Sequence, residues 1–242
     1  MTDQIQSIQP KVQIAYIHGD FVSHSFHHSI MALSNSPNAS QLYTKEHISA
    51  LSDAMSIPES RNALMNYFLD ATDATHIFWI DTDMGFAPDT VEKLLETGKD
   101  VIGALCKGLS KYQTDGYGGY LTKEFITAYD LTQYKVGDSD DRQDFIAFTL
   151  KQDLDLDSGE LISVAATGTA ALLISRDAAY RVRNFYGSRF FERIQMRDPD
   201  PKVRPHIISE DLSFCYRLAT VGIPVFIHPK VVTTHAKTVW LQ

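Results

Sequence analysis

Apolar positions along the first hundred residues follow two rhythms. "VQIAYIH" (12–18), "HIFWI" (76–80) and "DVIGAL" (100–105) are short, nearly continuous apolar runs, the pattern of strands buried on both faces. Between them the spacing changes to that of helices. "PESRNALMNYFLDA" (58–71) carries Pro58 in its first turn, Glu59 near its positive end, and apolar pairs at Leu64, Phe68 and Met65, Leu69. A helix is predicted over residues 23–34. Another is predicted over "APDTVEKLLETG" (87–98), opened by Pro88 and closed by Gly98. "GDFV" reads as a turn, "SNSPNAS" as a loop and residues 41–49 as a further strand. The chain to residue 105 thus alternates strand and helix, the signature of a mostly parallel sheet covered by helices.

The second half is less regular. Residues 119–165 read as antiparallel strands with acidic connections. "DLDLDSGE" (153–160) alternates Leu154 and Leu156 with aspartates and reads as a surface strand. It is no EF-hand loop, because Ser158 and Val164 stand where that loop needs Gly and Glu. "TAALLIS" is a strand, and a helix starts near Arg176. "SEDLSFCYRLATVG" is a helix with Ser209 as N-cap and Gly222 beyond its end. "PVFIH" and "VVTTH" read as two short strands. One α/β domain over residues 1–242 is expected, in a regular half (12–110) and a less regular half (111–242).

Composition narrows the function classes. The 242 residues carry a formal charge of −8, which argues against coating nucleic acid or anionic membrane by bulk charge. Cys106 and Cys215 have no metal-type spacing, and no secretory h-region opens the chain, so a reduced, cytoplasmic setting is expected. The longest weakly polar run, residues 161–175, is interrupted by Gly168 and too short for a membrane span. Against this acidic background, residues 176–204 hold eight Lys and Arg and four Asp and Glu, interleaved with Tyr180, Phe185, Tyr186, Phe190 and Phe191. That mixture suits phosphate contact and base stacking. It equally suits an amphipathic helix and loop whose aromatics are core.

The chemistry concentrates where "HIFWI" runs into Asp81 and Asp83. Carboxylates ending a buried strand need a balancing charge. In an open parallel sheet, ligands sit beyond the carboxyl ends of the strands. Two hard oxygen donors there suit Mg2+ or Mn2+, with positions left for water and substrate phosphate. The spacing by itself is also that of two residues capping a turn.

The run "FWIDTDMGFAPDTVEKLLETGKDVIGAL" resembles the GT-A glycosyltransferases, in which a D-x-D pair binds the metal and diphosphate of a nucleotide sugar. "RNALMNYFL" resembles that family's helix upstream of the motif, and "GTAALLISRDA" its sugar- and acceptor-side strand. "SEDLSFCYRLATVGIPVFIHPKVVTTH" resembles its E-D helix, followed by a strand and a late metal-binding histidine. The ordered set covers most of residues 12–235. It is also similar to small stand-alone phage proteins of this type, some of which glycosylate hydroxymethylated DNA bases.

The resemblance implies roles. Asp81, Asp83 and His235 become metal ligands, and nitrogen beside oxygen favours Mn2+ over Mg2+. Asp211 becomes the general base that deprotonates an acceptor hydroxyl, with Glu210 as its helper, provided the reaction inverts configuration. Acidic residues also belong at a helix start for reasons of dipole alone. Tyr16, His18 and Asp20 would cradle base and ribose, Arg61 would stand on the donor side, and Lys107 would meet phosphate or acceptor. Asp81 would share the metal or bond the ribose. Residues 176–204 would contact DNA, if DNA is the acceptor rather than a glycan or a lipid-linked sugar. "HSFHH" groups His24, His27 and His28 on one helical face, either a metal site or a solvated surface.

Two rival classes stay open. "WIDTDMGF" also resembles the haloacid-dehalogenase phosphatase motif, which that family places near its start rather than after two strand–helix units. A nucleotide-sugar-binding module without catalysis is the other.

Overall fold

The structure is a computed structural model that describes residues 9–113, 120–136, 143–196 and 206–237. The chain opens with β1 (Val12–His18), α1 (His24–Ser34), α2 (Ala39–Leu42), β2 (Ile48–Leu51) and α3 (Ile57–Ala71). It continues with β3 (His76–Ile80), β4 (Met84–Gly85), α4 (Thr90–Glu96) and β5 (Val101–Leu105). Four longer antiparallel strands follow: β6 (Lys107–Gln113), β7 (Tyr120–Ile126), β8 (Ala128–Val136) and β9 (Gln143–Leu150). The chain then re-enters the centre through β10 (Ile162–Val164), β11 (Ala166–Thr167), β12 (Ala171–Ser175) and α5 (Arg176–Tyr186). Last come β13 (Ile194–Met196), β14 (His206–Ile208), α6 (Glu210–Thr220), β15 (Val225–Val232) and β16 (Thr234–His235).

The central sheet has seven strands in the order β10-β15-β5-β12-β3-β1-β2, so it draws on both halves of the sequence. β1 runs parallel to β2 and β3, and β15 parallel to β5, while β12 lies antiparallel between β3 and β5. Strand alternation sorts the core into two layers. Ile77 and Trp79 of β3 join Leu172 and Ile174 of β12 beneath α3, α5 and α6, where Phe68, Val182 and Phe214 are fully buried. Phe78 and Ile80 face the other way, with Leu173, onto Phe26 and Leu33 of α1 and Val91 and Leu94 of α4. Central strands covered on both sides explain the nearly continuous apolar runs.

Helix starts follow the sequence closely. α3 begins with a capping box in which Glu59 Oε2 accepts from the Ser56 backbone N–H at 3.0 Å, and Pro58 occupies the first turn. Its far end is closed by Arg176. That guanidinium donates to the carbonyls of Phe68, Leu69, Thr72 and Ala74, at the helix's negative pole.

Three local expectations are corrected. Residues 41–49 are not one strand: Leu42 N–H closes a helical turn on the Asn38 carbonyl, Tyr43 makes a single parallel bridge to Val12, and the continuous ladder with β1 begins at Ile48. Residues 153–160 form no strand. Asp155 accepts the backbone N–H groups of Asp157 and Ser158, a side-chain turn that competes with extended pairing. "PVFIH" and "VVTTH" belong largely to one strand, β15, whose register shifts between His228 and Val232, where Pro229 has no N–H to give. Among the described residues, no helix is long and apolar enough to cross a membrane.

Candidate active site

β1, β3, β5 and β15 end on the same edge of the sheet, and antiparallel β12 begins there. The Asp81 backbone N–H donates to the Ala170 carbonyl at 3.0 Å, which ties the D-x-D turn to the Gly168–Ala170 turn. Asp81 is open to the cleft over 44% of its side chain but otherwise ringed by protein. Burial raises its carboxyl above the ordinary range. Arg61 opposes that shift, and the nearby charges of Asp83 and Asp211 add to it.

Arg61 is itself buried. Its Nη1 donates to Glu210 Oε1 at 2.8 Å and its Nη2 to Asp81 Oδ1 at 3.4 Å, and its guanidinium lies 5.7 Å from the Phe191 ring centroid. Arg61 thus bridges the end of β3 and the start of α6. Glu210 is likewise buried on that pair.

Asp211 sits in the first turn of α6. Its Oδ1 accepts from the Ser209 hydroxyl and from the Leu212 backbone N–H at 3.0 Å. Ser209 is thus the N-cap by position, while its hydroxyl serves Asp211 rather than a helix N–H. The other oxygen, Oδ2, faces Gly168, where an added Cβ would lie 3.5 Å away. Tyr129 of β8 also lies near: burial, then the Asp211 charge, raises its phenol.

The histidine side of the site is built by β16 pairing with β4. Thr234 lies opposite Gly85 and His235 opposite Met84, and the Ala236 N–H donates to the Asp83 carbonyl at 2.8 Å. Gly85 is required: a Cβ there would meet Thr234 Oγ1 at 2.5 Å and Ser25 Cβ at 2.8 Å. His235 Nδ1 lies 2.7 Å from the Lys107 carbonyl oxygen and Nε2 lies 3.0 Å from Asp83 Oδ2. Lys237 donates to the same Oδ2 at 2.7 Å. Burial would raise the Asp83 carboxyl, but the hydrogen bond from Lys237 and the charges of His235 and Lys237 outweigh it and hold it below its ordinary value.

This donor set fits a hard divalent cation. The Lys107 carbonyl can only accept, so Nδ1 carries a proton and Nε2 is turned toward a carboxylate. A proton or a cation must stand between them. A spacing of 3.0 Å also matches neighbouring ligands of an octahedron with bonds of about 2.1 Å. Asp81, crowded by Asp83 and Asp211, gains from added positive charge. Among the described residues, no three His, Cys, Asp or Glu already form a closed metal cluster.

The remaining candidates separate. Tyr16 is half-buried and packs edge-on to Phe26, His18 Nδ1 bonds the Gly19 carbonyl, and Asp20 is exposed. These three lie on the carboxyl half of β1 and in its following loop, which reaches the D-x-D turn where Ser23 N–H meets the Thr82 carbonyl at 2.9 Å. Lys107 pairs with Glu124 at 3.1 Å beside a cavity of about 550 Å3 that Lys237 and His235 also line. His24, His27 and His28 are exposed on α1.

The basic, aromatic segment divides residue by residue between its two readings. Phe190 and Phe191 are core, not stacking platforms. Arg176 closes α3, Arg183 pairs with Asp70 at 2.6 Å and Arg181 donates to the Val221 carbonyl at 2.5 Å. Arg189 and Arg193 remain outward, 75% and 65% exposed, as does Phe185. Arg197, Lys202 and Arg204 lie outside the described residues.

Sequence reasoning missed Lys237 and Tyr129. The spacing of His235 and Lys237 carried a usable signal, since alternate residues of an extended chain share a face. Tyr129 carried none, because only the tertiary fold brings β8 to α6.

No family model matches the chain, and no curated protein matches it. Solved structures do resemble it. A197 from STIV aligns over 93% of this chain and 86% of its own, at 13% identity and a TM-score of 0.45. GalNAc-T7, a GT-A glycosyltransferase crystallised with UDP, GalNAc and Mn2+, aligns over 93% of this chain at 8% identity and a TM-score of 0.52. This chain spans 43% of the length of GalNAc-T7. At such identities the likeness is one of architecture: the chain has the α/β GT-A fold, a mostly parallel central sheet with smaller antiparallel sheets beside it.

Proposed function

We propose that this protein is a metal-dependent glycosyltransferase that moves a sugar from a nucleotide-sugar donor to an acceptor hydroxyl. The observation that carries this reading is the meeting of Asp81, Asp83, Asp211 and His235 at the carboxyl edge of a GT-A sheet. Asp81, Asp83 and His235 would hold Mn2+ or Mg2+. Such an ion stabilises charge developing on the leaving diphosphate. Arg61 holds the start of α6 against the end of β3, which fixes the base relative to the donor. Asp211 takes the acceptor proton on Oδ2. Its Oδ1 is already engaged by Ser209 and Leu212, and the missing side chain at Gly168 leaves room in front of Oδ2.

The acceptor we propose is the hydroxyl of a hydroxymethylated DNA base. A base inside a duplex cannot reach a buried anomeric carbon, so it would be flipped or presented single-stranded, at roughly a few kcal/mol in the duplex. Arg189 and Arg193 also pair within the protein, with Glu192 at 3.1 Å and Glu210 at 3.8 Å, but both side chains stay well exposed, so backbone contact falls to them. Sugar transfer to hydroxymethylated against unmodified DNA, read by mass after digestion to nucleosides, tests this. A sugar adduct on the modified base is expected. Its absence with every donor that binds ends the DNA acceptor, and transfer to a glycan or lipid-linked sugar would replace it.

A further inference from the structure

Each aspartate of the D-x-D pair meets a positive side chain from within the protein, but the two cations differ. Arg61, at Asp81, is buried and pinned by a second bond to Glu210, so it has nowhere to go. Lys237, at Asp83, is 42% exposed and stands on a flexible stem two residues beyond His235. The β16–β4 pairing and the Ala236–Asp83 bond set the course of the backbone, so Lys237 is delivered over Asp83 by register rather than by chance of rotamer. Its Nζ and His235 Nε2 converge on one oxygen, Oδ2, at 2.7 and 3.0 Å.

We infer that Lys237 is a built-in counter-cation for Asp83, one that a divalent ion must displace in order to bind. The inference rests on the metal-dependent reading above and adds a competitor to it. An ammonium and a divalent ion cannot share one carboxylate oxygen at contact distance, because their mutual repulsion there exceeds what a single carboxylate returns. Arg61 cannot yield, so Lys237 does. It swings toward the cavity it already lines with Lys107, Thr122 and Glu124. The result is a site that stays charge-balanced without metal and binds a bare cation more weakly than its donor set alone would.

The test is a calorimetric titration of Mn2+ alone into the wild-type chain and into Lys237→Met, Lys237→Gln and Lys237→Arg, with circular dichroism to confirm folding. Removing a partly exposed competing ion pair should tighten Mn2+ binding about two- to fivefold in the Met and Gln variants. Lys237→Arg should stay near wild type. Unchanged or weaker Mn2+ affinity in both folded neutral variants, with clear binding to wild type, overturns the inference and leaves the metal reading intact. Absence of Mn2+ binding in every variant overturns both.

Discussion

Asp211 and Glu210 are neighbours in sequence and opposites in situation. Glu210 is buried on Arg61, while Asp211 keeps one oxygen facing the open space at Gly168. The base we propose acts in the chemical step, so Asp211→Asn should lower turnover by at least ~10²-fold while leaving donor affinity near wild type. Steady-state kinetics beside a donor-binding isotherm would separate the two, and near-normal turnover would assign the proton to another group. The position of Asp81 and Asp83 at the end of β3 was legible from the apolar run before them, whereas His235 and Asp211 were singled out only through the resemblance of the ordered motifs. The role of Arg61 was not legible. A buried arginine 149 residues from Glu210 in sequence leaves no local trace of its partner. The aromatics of residues 176–204 stayed open between core and stacking for the same reason: side-chain type does not say which of Phe185 and Phe191 faces water.

At the scale of elements, the long periodic segments were read well. α3, β3, β5 and α6 fall where apolar spacing, Pro58 and Gly222 put them, since each carries its own start and stop chemistry. Short segments were not, because a single Asx turn or a proline bulge outweighs four or five residues of alternation. The pairing of β16 with β4 is the least visible element and the one on which the histidine side of the site depends. It tolerates no side chain at residue 85. Gly85→Ala should therefore push β16 away from the D-x-D turn and Ser25, at a cost of about 1–3 kcal/mol. For a chain of this size that is roughly 2–4 °C of Tm per kcal/mol. Thermal unfolding read with a Mn2+ isotherm checks it: Tm should fall and Mn2+ affinity should fall with it. An unchanged Mn2+ affinity would show that His235 is held by something other than this pairing.

The whole molecule combines an acidic surface, at −8, with a carboxylate-rich cleft on the edge of a seven-stranded sheet. Fold class was legible because strand–helix alternation specifies a covered parallel sheet, whereas strand order was not. No residue of "TAALLIS" announces that β12 inserts antiparallel between β3 and β5 and so carries Gly168 to the site. The central claim concerns the molecule as a whole: the cleft binds a nucleotide sugar, and does so through a cation on Asp83. Thermal unfolding of wild type and Asp83→Ala across a panel of nucleotide sugars, with Mn2+ and with excess chelator, tests it most directly. A donor at a hundred times its Kd stabilises by about 2.7 kcal/mol, a Tm rise of roughly 5–10 °C. That rise should occur with at least one nucleotide sugar in wild type with Mn2+, and vanish in chelator and in folded Asp83→Ala. An equal rise in chelator, or no rise with any donor, would contradict the account.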